Sequence, residues 1–329
     1  MKKILLIGTG GTIASVNNGE GLAPEIMGHQ LLELAPAISE MCEVDSIQVV
    51  NLDSTNIRPG HWLLIAEAIK NNYDKYDGFV VTHGTDTMAY TAAALSYLIQ
   101  NSPKPIILTG AQRPAGDAGS DAESNLVDAF AVACDDNSSG VRIVFFGSLI
   151  CGTRARKNFS KSFAAFGSVN FPELGKINKG SIIRFVPDNI DGPVRFYDVL
   201  NPNIGLVKFV PGMRRDILQY ILDKYDGLVI ETFGAGGLPE YSDFFEQIKE
   251  AGENGKIIVM TTQVPNEGSN LSVYRVGNRL KNGIKIIEAY DMTTEAAFAK
   301  LQWILGQTSD FETASKLFYT TIDYDILAV

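Results

Sequence analysis

The chain has 329 residues, of which 45% are hydrophobic and 20% are charged, and its formal net charge is −10 at pH 7. This composition is globular, and the length suits about two domains of ~150 residues each. A phosphate backbone requires a basic protein face, so the acidic excess argues against nucleic acid and anionic membrane as partners. No apolar run in the sequence is long enough to span a bilayer.

The N-terminus and the cysteines both favour a cytoplasmic location. Two lysines precede the apolar run Ile4–Ile7, which is too short for the core of a signal peptide. The three cysteines, Cys42, Cys134 and Cys151, are far apart in sequence and form no C-x-x-C motif. We therefore expect reduced thiols in a cytoplasmic protein.

Short β-rich runs alternate with helical patterns along the chain, which predicts an α/β fold built on a parallel sheet. The predicted strands are Ile4–Ile7, Ile47–Leu52, Phe79–Thr82, Ile106–Thr109, Ile143–Phe146, Leu228–Ile230, Ile257–Met260 and Ile284–Ile287. The predicted helices are Trp62–Asn71, Met88–Ile99, Glu123–Ala133 and Ala296–Leu305. Most of the N-terminal strands lead into Gly, Thr or Ser, at the sheet edge where open parallel sheets bind ligands.

Two short stretches recur and suggest two similarly built halves. "DKYDG" occurs at Asp74–Gly78 and again at Asp223–Gly227, each time before a predicted strand. "IILTGAQRP" at Ile106–Pro114 has a looser counterpart at Ile257–Pro265, although shared strand patterning and chance remain an alternative explanation.

A stretch rich in Pro, Asn, Asp and Gly lies between these halves, at Val186–Gly205. We predict a larger N-terminal domain with a doubly wound parallel sheet (residues 1–187), a linker (188–205) and a smaller C-terminal α/β domain (206–329).

A glycine-rich stretch, "GTGGTIAS", follows the first predicted strand, where a dinucleotide-binding loop would lie. The sixth position of that fingerprint is Ile13 instead of Gly or Ala, and no Gly-Lys-Ser/Thr of a P-loop is in place. What remains is a glycine-lined turn that presents Thr12 at the end of the strand, or a plain tight turn.

The stretch "VVTHGTDTM" places Thr85, Asp86 and Thr87 directly after an apolar run. Thr85 or Asp86 could cap the helix that begins nearby, because Ser, Thr and Asp are preferred at that position. His83 invites comparison with a catalytic base. However, the chain has only three histidines and none lies in a Ser or Cys signature, so a His-based triad is not expected.

Two further motifs are uninformative alone. A basic cluster comprises Arg154, Arg156, Lys157 and Lys161, which usually marks a solvated face or a phosphate site. "DSTN" at Asp53–Asn56 ends a predicted strand and alone suggests a turn.

Together, these motifs resemble the bacterial-type L-asparaginase family and its cytoplasmic branch, and the resemblance covers nearly the whole chain. The matching segments are "TGGTIAS" (Thr9–Ser15), "DSTN" (Asp53–Asn56), "GFVVTHGTDTMAYTA" (Gly78–Ala92), "LTGAQRP" (Leu108–Pro114), "DAESNL" (Asp121–Leu126) and "DMTTEAAFAKLQWILGQ" (Asp291–Gln307). The resemblance implies hydrolysis of L-asparagine to L-aspartate and ammonia, without a metal or a cofactor.

The resemblance also implies the roles of individual residues. Thr12 matches the nucleophile, and Thr85, Asp86 and Lys157 match the second threonine, the acid and the lysine. Ser54 and Thr55 match positions that hold the α-carboxylate and α-amino groups of the substrate, a task that Asp86 shares. The backbone of Ala111 matches a contact to the side-chain amide. The remaining positions that the resemblance assigns to substrate binding are Gly11, Asp53, Gly84 and Tyr274.

The chain departs from the family pattern in the loop that follows Thr12. Many members carry a tyrosine there, whereas this segment has no Tyr and Leu22 stands near the expected place. Tyr274 matches a position that reaches the substrate from a neighbouring subunit in some relatives, although a packed aromatic is an equal alternative. The family builds its sites between subunits, which implies a homodimer or a homotetramer.

A threonine hydroxyl is a poor nucleophile at neutral pH and needs a base beside it. Lys157 can serve as that base only in its uncharged form, which burial favours and the carboxylate of Asp86 disfavours. Three alternatives remain open: a glutaminase-asparaginase, a ligand-binding α/β protein without catalysis, and a nucleotide-binding oxidoreductase. A tRNA-dependent amidotransferase subunit usually carries an extra N-terminal domain, so a first strand that begins almost at Met1 disfavours it.

Overall fold

The computed structural model describes residues 1–17, 22–24, 26, 28–178, 180–188, 190, 192–273 and 284–327. The chain divides into two compact units, Met1–Asp198 and Val199–Val329. The division falls between Asp198 and Val199, and the domain limits given above stay a prediction. Among the described residues, no helix combines the length and the apolar character that a membrane-spanning segment needs.

The first unit contains a large sheet flanked by helices. Its strands are β1 (Lys3–Gly10), β2 (Ser15–Asn17), β3 (Leu22–Pro24), β4 (Glu43–Leu52), β5 (Gly78–Thr82), β6 (Ile99–Gln100), β7 (Pro105–Thr109), β8 (Gly140–Phe145), β9 (Ser148–Cys151), β10 (Ala155–Lys157), β11 (Phe166–Ser168), β12 (Gly175–Asn178), β13 (Ser181–Arg184) and β14 (Arg195–Phe196). Its helices are α1 (Gly28–Glu33), α2 (Ile38–Met41), α3 (Pro59–Asn72), α4 (Met88–Leu98) and α5 (Ala122–Cys134).

Eight of these strands form one mixed sheet in the order β13-β12-β9-β8-β7-β5-β1-β4. The five strands from β8 to β4 are parallel, which confirms the predicted parallel sheet. Strands β9, β12 and β13 add an antiparallel edge that was not predicted from the sequence. β12 and β13 alternate more and less buried residues, so they lack the continuous apolar run that reveals a central parallel strand.

Helix α4 is buried along almost its whole length, and this explains its composition. Only Tyr90 among its residues is not buried. Small residues such as Ala92, Ala93 and Ala94 allow close packing against the sheet on one side and other elements on the other. A helix that is apolar all round is a buried helix, and α4 fits that rule.

The second unit is built on a four-stranded parallel sheet in the order β15-β16-β17-β18. Its strands are β15 (Ile204–Lys208), β16 (Gly227–Thr232), β17 (Ile257–Thr262) and β18 (Ile287–Glu288), and its helices are α6 (Arg215–Lys224), α7 (Phe244–Glu253), α8 (Thr294–Gln307) and α9 (Phe311–Tyr319). The predicted strand Ile284–Ile287 is wrong in extent, because only Ile287 and Glu288 pair with β17. Both "DKYDG" repeats end at the first residue of a parallel strand, β5 in one unit and β16 in the other.

A fully buried ion pair fixes the C-terminal segment of the second unit. The Lys300 Nζ on α8 lies 2.6 Å from the Asp325 Oδ2, and both side chains are 0% exposed. The same Nζ donates a hydrogen bond to the carbonyl of Thr320 at 2.9 Å. Burial lowers the pKa of Lys300, and the carboxylate of Asp325 opposes that effect.

Replacing Asp325 with alanine is expected to lower the free energy of unfolding of the second unit by about 3–5 kcal/mol, because it leaves a buried ammonium without its carboxylate. Urea unfolding followed by far-UV circular dichroism measures the change. The control is Asp216→Ala, which removes the exposed ion pair with Arg214 in the same unit and is expected to lower the free energy of unfolding far less, because solvent screens an exposed pair. Equal effects of the two substitutions would contradict the prediction.

Candidate active site

The end of β1 and the end of β5 approach to backbone contact, and glycine makes this possible. Gly11 has φ of 82°, and a Cβ at this position would lie 2.2 Å from the backbone N of Gly84. The Gly11 N–H also donates to the carbonyl of Leu52, at the end of β4, at 2.9 Å. Thr12 and Thr85 each directly follow one of the two touching glycines. Two of the predicted site segments therefore lie side by side at the carboxyl edge of the sheet.

The turn after β1 does not lead into an α-helix. Thr12 begins a single turn of 3-10 helix, Thr12–Ala14, and its side chain is half-buried. A dinucleotide-binding loop would instead place pyrophosphate at the N-terminus of a long helix. The structure thus agrees with the argument from Ile13 against a dinucleotide site.

The loop after β4 is the third segment at this edge. A Cβ on Gly84 would lie 2.5 Å from the Ser54 Oγ, so Ser54 packs directly against the β5 loop. The Thr87 hydroxyl donates to the carbonyl of Ser54 at 2.8 Å, which ties the two loops together. Asp53 caps this turn through its Oδ1, which accepts from the backbone N (2.8 Å) and the hydroxyl (2.7 Å) of Thr55.

Lys157 joins the predicted group from a separate part of the chain. It ends β10, which pairs antiparallel with β11. Its Nζ donates to the Thr85 hydroxyl at 2.7 Å and to the Asp86 Oδ1 at 2.6 Å. The Lys157 side chain is 16% exposed and that of Asp86 is 57% exposed. The structure therefore brings Thr85, Asp86 and Lys157 into one hydrogen-bonded cluster.

The structure excludes two simpler explanations of these motifs, a helix cap at Thr85 or Asp86 and a single solvated basic face. Helix α4 begins at Met88, and neither Thr85 nor Asp86 caps it, because Thr87 occupies the N-cap position without a side-chain cap. The basic cluster is not a single solvated face either. Arg154 is fully buried with its guanidinium 5.6 Å from the ring of Phe171, whereas Lys161 is exposed.

Gln112, which was not singled out from the sequence, contacts Thr85 directly. The Thr85 hydroxyl donates to the Gln112 Oε1 at 3.1 Å, and the Gln112 Nε2 donates to the carbonyl of Ser162 at 2.9 Å. The amide is thereby held with its oxygen toward Thr85. Gln112 belongs to the recognised segment "LTGAQRP", but only its neighbour Ala111, which is fully buried, was assigned a role.

The other predicted positions lie outside this cluster or outside the described residues. Tyr274 lies outside the described residues, as do residues 18–21, 25 and 27 of the loop after Thr12. Leu22 begins β3, which pairs antiparallel with β2. Among the described residues, no group of three or more His, Cys, Asp or Glu side chains could hold a metal ion.

His83 lies beneath this site and is fully buried. Its Nδ1 is 2.7 Å from the carbonyl oxygen of Gly84, and its Nε2 is 2.9 Å from the hydroxyl of Thr91. Burial lowers the pKa of His83 to about 4, and the hydrogen bond to Gly84 opposes the shift. Both ring nitrogens are engaged, which agrees with the expectation that His83 is not a catalytic base.

The free energy of unfolding is expected to decrease as the pH is lowered, because of His83. In the unfolded chain this imidazole takes up a proton near its ordinary pKa of 6.5, whereas in the folded chain it does so only near pH 4. Between these values the unfolded chain binds more protons, so lowering the pH destabilises the fold. From pH 7 to pH 4.5, wild type should lose about 2 kcal/mol more than His83→Asn, as measured by urea unfolding. Parallel losses in the two proteins would refute the assignment.

Comparison with known proteins identifies the family. Residues 3–188 match the model of the asparaginase N-terminal domain, and residues 203–318 match that of the glutaminase/asparaginase C-terminal domain. The chain belongs to the asparaginase family. The resemblance inferred from the sequence motifs is thereby confirmed.

Three similar proteins of known name match nearly the whole of this chain. The L-asparaginase of Thermococcus kodakarensis is 37% identical over 98% of this chain and 99% of its own, and L-asparaginase 1 of Escherichia coli is 35% identical over 96% and 95%. A glutamyl-tRNA(Gln) amidotransferase component from Pyrococcus furiosus is 37% identical over 96% of this chain and 75% of its own.

Solved asparaginase structures share the fold across nearly the whole chain. The thermostable T. kodakarensis L-asparaginase superimposes with a TM-score of 0.94 at 37% identity, covering 99% of this chain and 100% of that one. L-asparaginase I of Vibrio cholerae gives 0.88 at 33% identity and 99% coverage of both chains. A probable cytoplasmic L-asparaginase of Campylobacter jejuni gives 0.83 at 26% identity, covering 97% of this chain and 99% of that one.

Proposed function

We propose that this asparaginase-family protein hydrolyses L-asparagine to L-aspartate and ammonia, with Thr12 as the nucleophile. The observation that carries the proposal is the hydrogen-bonded cluster of Thr85, Asp86 and Lys157, whose Thr85 follows Gly84, the glycine that touches the backbone of Gly11 just before Thr12. A threonine nucleophile needs a base nearby, and the Thr85–Lys157 pair can supply one to the Thr12 hydroxyl.

In the first step, the Thr12 oxygen attacks the carbon of the side-chain amide, and the Thr12 proton passes toward the cluster of Thr85 and Lys157. The carbon–nitrogen bond breaks, the nitrogen takes up a proton and leaves as ammonia, and a β-aspartyl ester remains on Thr12. In the second step, water attacks the ester carbon with Thr85 and Lys157 accepting its proton. The Thr12 oxygen leaves and regains a proton, so the enzyme returns to its starting state.

The charge state of the cluster sets a condition on this route. The Lys157 Nζ lies 2.6 Å from the Asp86 Oδ1, and it donates to both Asp86 and Thr85. To accept a proton through Thr85, Lys157 must first become uncharged. Asp86 is the exposed member of the cluster. We propose that the ammonium group of the substrate binds the carboxylate of Asp86 and thereby weakens the ion pair between Asp86 and Lys157.

Binding and transition-state stabilisation are assigned to the surrounding loops. We propose that Ser54 and Thr55 receive the α-carboxylate and α-amino groups, with Asp53 holding Thr55 in place. Backbone N–H groups near Thr12 and Ala111 would stabilise the oxyanion, at roughly 3 kcal/mol for each donor. The other proposed binding positions are Gly11, Gly84 and Tyr274.

We also propose a cytoplasmic homodimer or homotetramer without a metal, a cofactor or a nucleic-acid partner. The absence of disulfide patterning in the sequence supports the compartment, and the C. jejuni neighbour described as cytoplasmic is consistent with it.

The decisive experiment measures ammonia release from L-asparagine and from L-glutamine by the purified chain, without added metal or nucleotide. We expect turnover of asparagine above that of glutamine. Comparable rates would favour the glutaminase-asparaginase alternative, for which the glutaminase/asparaginase match of the C-terminal domain is the supporting observation. No ammonia from either amino acid would overturn the proposal. Activity only with a partner protein and charged tRNA would indicate an amidotransferase component.

A further inference from the structure

His83 occupies a fixed place between the sheet and the site. It directly follows β5, its backbone N–H donates to the carbonyl of Thr109 at 2.9 Å, and its side chain is 0% exposed. A Cβ on Gly110 would lie 2.2 Å from the His83 carbonyl oxygen, so the backbone here is enclosed as well. The residue touches neither the ammonium of Lys157 nor the hydroxyl of Thr85 in any hydrogen bond of the described chain, yet it lies two residues before Thr85.

The direction of each hydrogen bond around this imidazole follows by elimination. A carbonyl oxygen can only accept, so the Nδ1 that contacts Gly84 at 2.7 Å carries a proton. A neutral imidazole then has a bare Nε2, which accepts from the Thr91 hydroxyl at 2.9 Å. The indole N–H of Trp62 can only donate, and it donates to the oxygen of Thr91 at 2.9 Å. The relay therefore runs from Trp62 through Thr91 and His83 to Gly84.

The relay reaches the site through the peptide that joins Gly84 to Thr85. A peptide unit is planar, and no cis peptide bond occurs in the described chain, so a fixed Gly84 carbonyl also fixes the direction of the Thr85 N–H. The Thr85 side chain starts from the same Cα and must meet Lys157 at 2.7 Å and Gln112 at 3.1 Å. A small rotation of this peptide would displace the hydroxyl from both partners.

We propose that His83 is a positioning residue. Thr91 and Trp62 set its Nδ1–H tautomer, and the Nδ1–H then holds the Gly84 carbonyl. Through the shared peptide, this keeps the Thr85 hydroxyl against Lys157. The kinetic part of this inference rests on the proposed function. Burial alone does not explain a histidine here, because an apolar side chain would fill the same volume without its two directed hydrogen bonds. Each donor in the relay has one acceptor, so the tautomer is specified.

Three substitutions at His83 separate positioning from packing. Asparagine places an amide N–H near the location of the imidazole Nδ1 and can still donate to Gly84. Glutamine has a longer side chain, and its amide reaches toward Thr91 instead. Leucine fills volume and donates nothing. We expect His83→Leu and His83→Gln to lower kcat by about 100-fold with little change in KM, because the misplaced group acts in the chemical step. We expect His83→Asn to recover most of this loss, to within about fivefold of wild type.

Two variants of α4 provide the comparison. Thr91→Val removes the hydroxyl that faces Nε2 and should lower kcat, although less than His83→Leu, because the Gly84 contact remains. Ser96→Ala is the matched control, since it deletes another buried hydroxyl of the same helix, whose hydrogen bond within the described part of the chain goes to the carbonyl of Ala92 in its own helix. It should leave kcat unchanged. Equal kcat for His83→Asn and His83→Leu, or wild-type kcat for His83→Leu, overturns the inference.

A spectroscopic readout tests the relay without any assay of activity. The chain has only three histidines, and loss of one signal in His83→Asn assigns its resonance. In ¹⁵N-labelled protein at pH 7, His83 should show a protonated Nδ1 and a bare Nε2, and Thr91→Val should perturb the Nε2 signal. A charged ring or the Nε2–H tautomer overturns the relay even if the variants fail to fold. If wild type releases no ammonia while the tautomer is as stated, the proposed function fails and the relay stands.

Discussion

Replacing Thr12 with alanine is expected to lower the rate of ammonia release from asparagine by about 10⁴-fold or more, because the variant lacks the proposed nucleophile. The side chain is half-buried at the start of a single 3-10 turn, so its removal should cost little stability. Thr12→Ser keeps the hydroxyl and should retain measurable turnover. The measurement is continuous detection of ammonia at saturating asparagine, with circular dichroism to verify the fold.

The matched control for this experiment is Thr9→Val. Thr9 lies three residues earlier, and its buried hydroxyl donates to the carbonyl of Thr82 at 2.7 Å, between neighbouring strands. Its loss should lower the free energy of unfolding by about 1 kcal/mol and leave turnover largely intact. Mass spectrometry of acid-quenched wild type should also reveal one added aspartyl group, which Thr12→Ala should lack. Turnover near the wild-type rate in Thr12→Ala would remove Thr12 from the role.

Features of the fold that are encoded locally could be predicted from the sequence. The central parallel strands were predicted because each is a continuous apolar run buried on both faces, and every residue of β5 and β7 is in fact buried. The position of the site at the carboxyl edge of the sheet was predicted from the same pattern, since parallel strands bring their carboxyl ends together. The antiparallel edge was missed because β12 and β13 are short and alternate in burial, and such segments resemble loops.

The candidate site was less accessible to sequence reasoning, because its contacts join distant parts of the chain. From the residues alone, the basic cluster suggested a solvated face. Only the family resemblance linked Lys157 to Thr85, which lies 72 positions earlier. Gln112 and His83 both lie inside recognised motifs, but their roles depend on hydrogen-bond direction. That direction is set by Ser162, 50 residues from Gln112, and by Trp62, 29 residues from Thr91.

Glycine contributes to the site through close approach of loops. Gly11 and Gly84 leave no room for a Cβ, because the first faces backbone and the second faces the side chain of Ser54. The segments after β1, β4 and β5 can therefore stack in contact. This packing explains why the motifs after β1 and β5 contain glycine beside hydroxyl residues: the glycines permit the approach, and the hydroxyls of all three segments gain partners from it.

Replacing Lys157 with methionine is expected to lower kcat by about 10²–10⁴-fold, because the proposed base is lost and the Thr85 hydroxyl loses its 2.7 Å donor. Methionine has a similar length and no titratable group, so the volume is largely kept. The variant should still fold, since Lys157 is partly exposed and its ion pair with Asp86 lies at the protein surface. Steady-state kinetics over a range of asparagine concentrations separates the loss in kcat from any change in KM.

Lys157→Arg distinguishes the two roles that a lysine could have here. Arginine keeps the positive charge and can bond to Asp86 and Thr85, but it does not lose its proton under protein conditions. If Lys157 acts only as a fixed cation, arginine should restore much of the rate. If it accepts a proton, as proposed, Lys157→Arg should be as slow as Lys157→Met. Lys161→Met is the matched control, because Lys161 is an exposed lysine four residues further along and should leave kcat unchanged. Recovery of turnover in Lys157→Arg would exclude proton transfer through this residue. Lys157 would then act on Thr85 only through its positive charge.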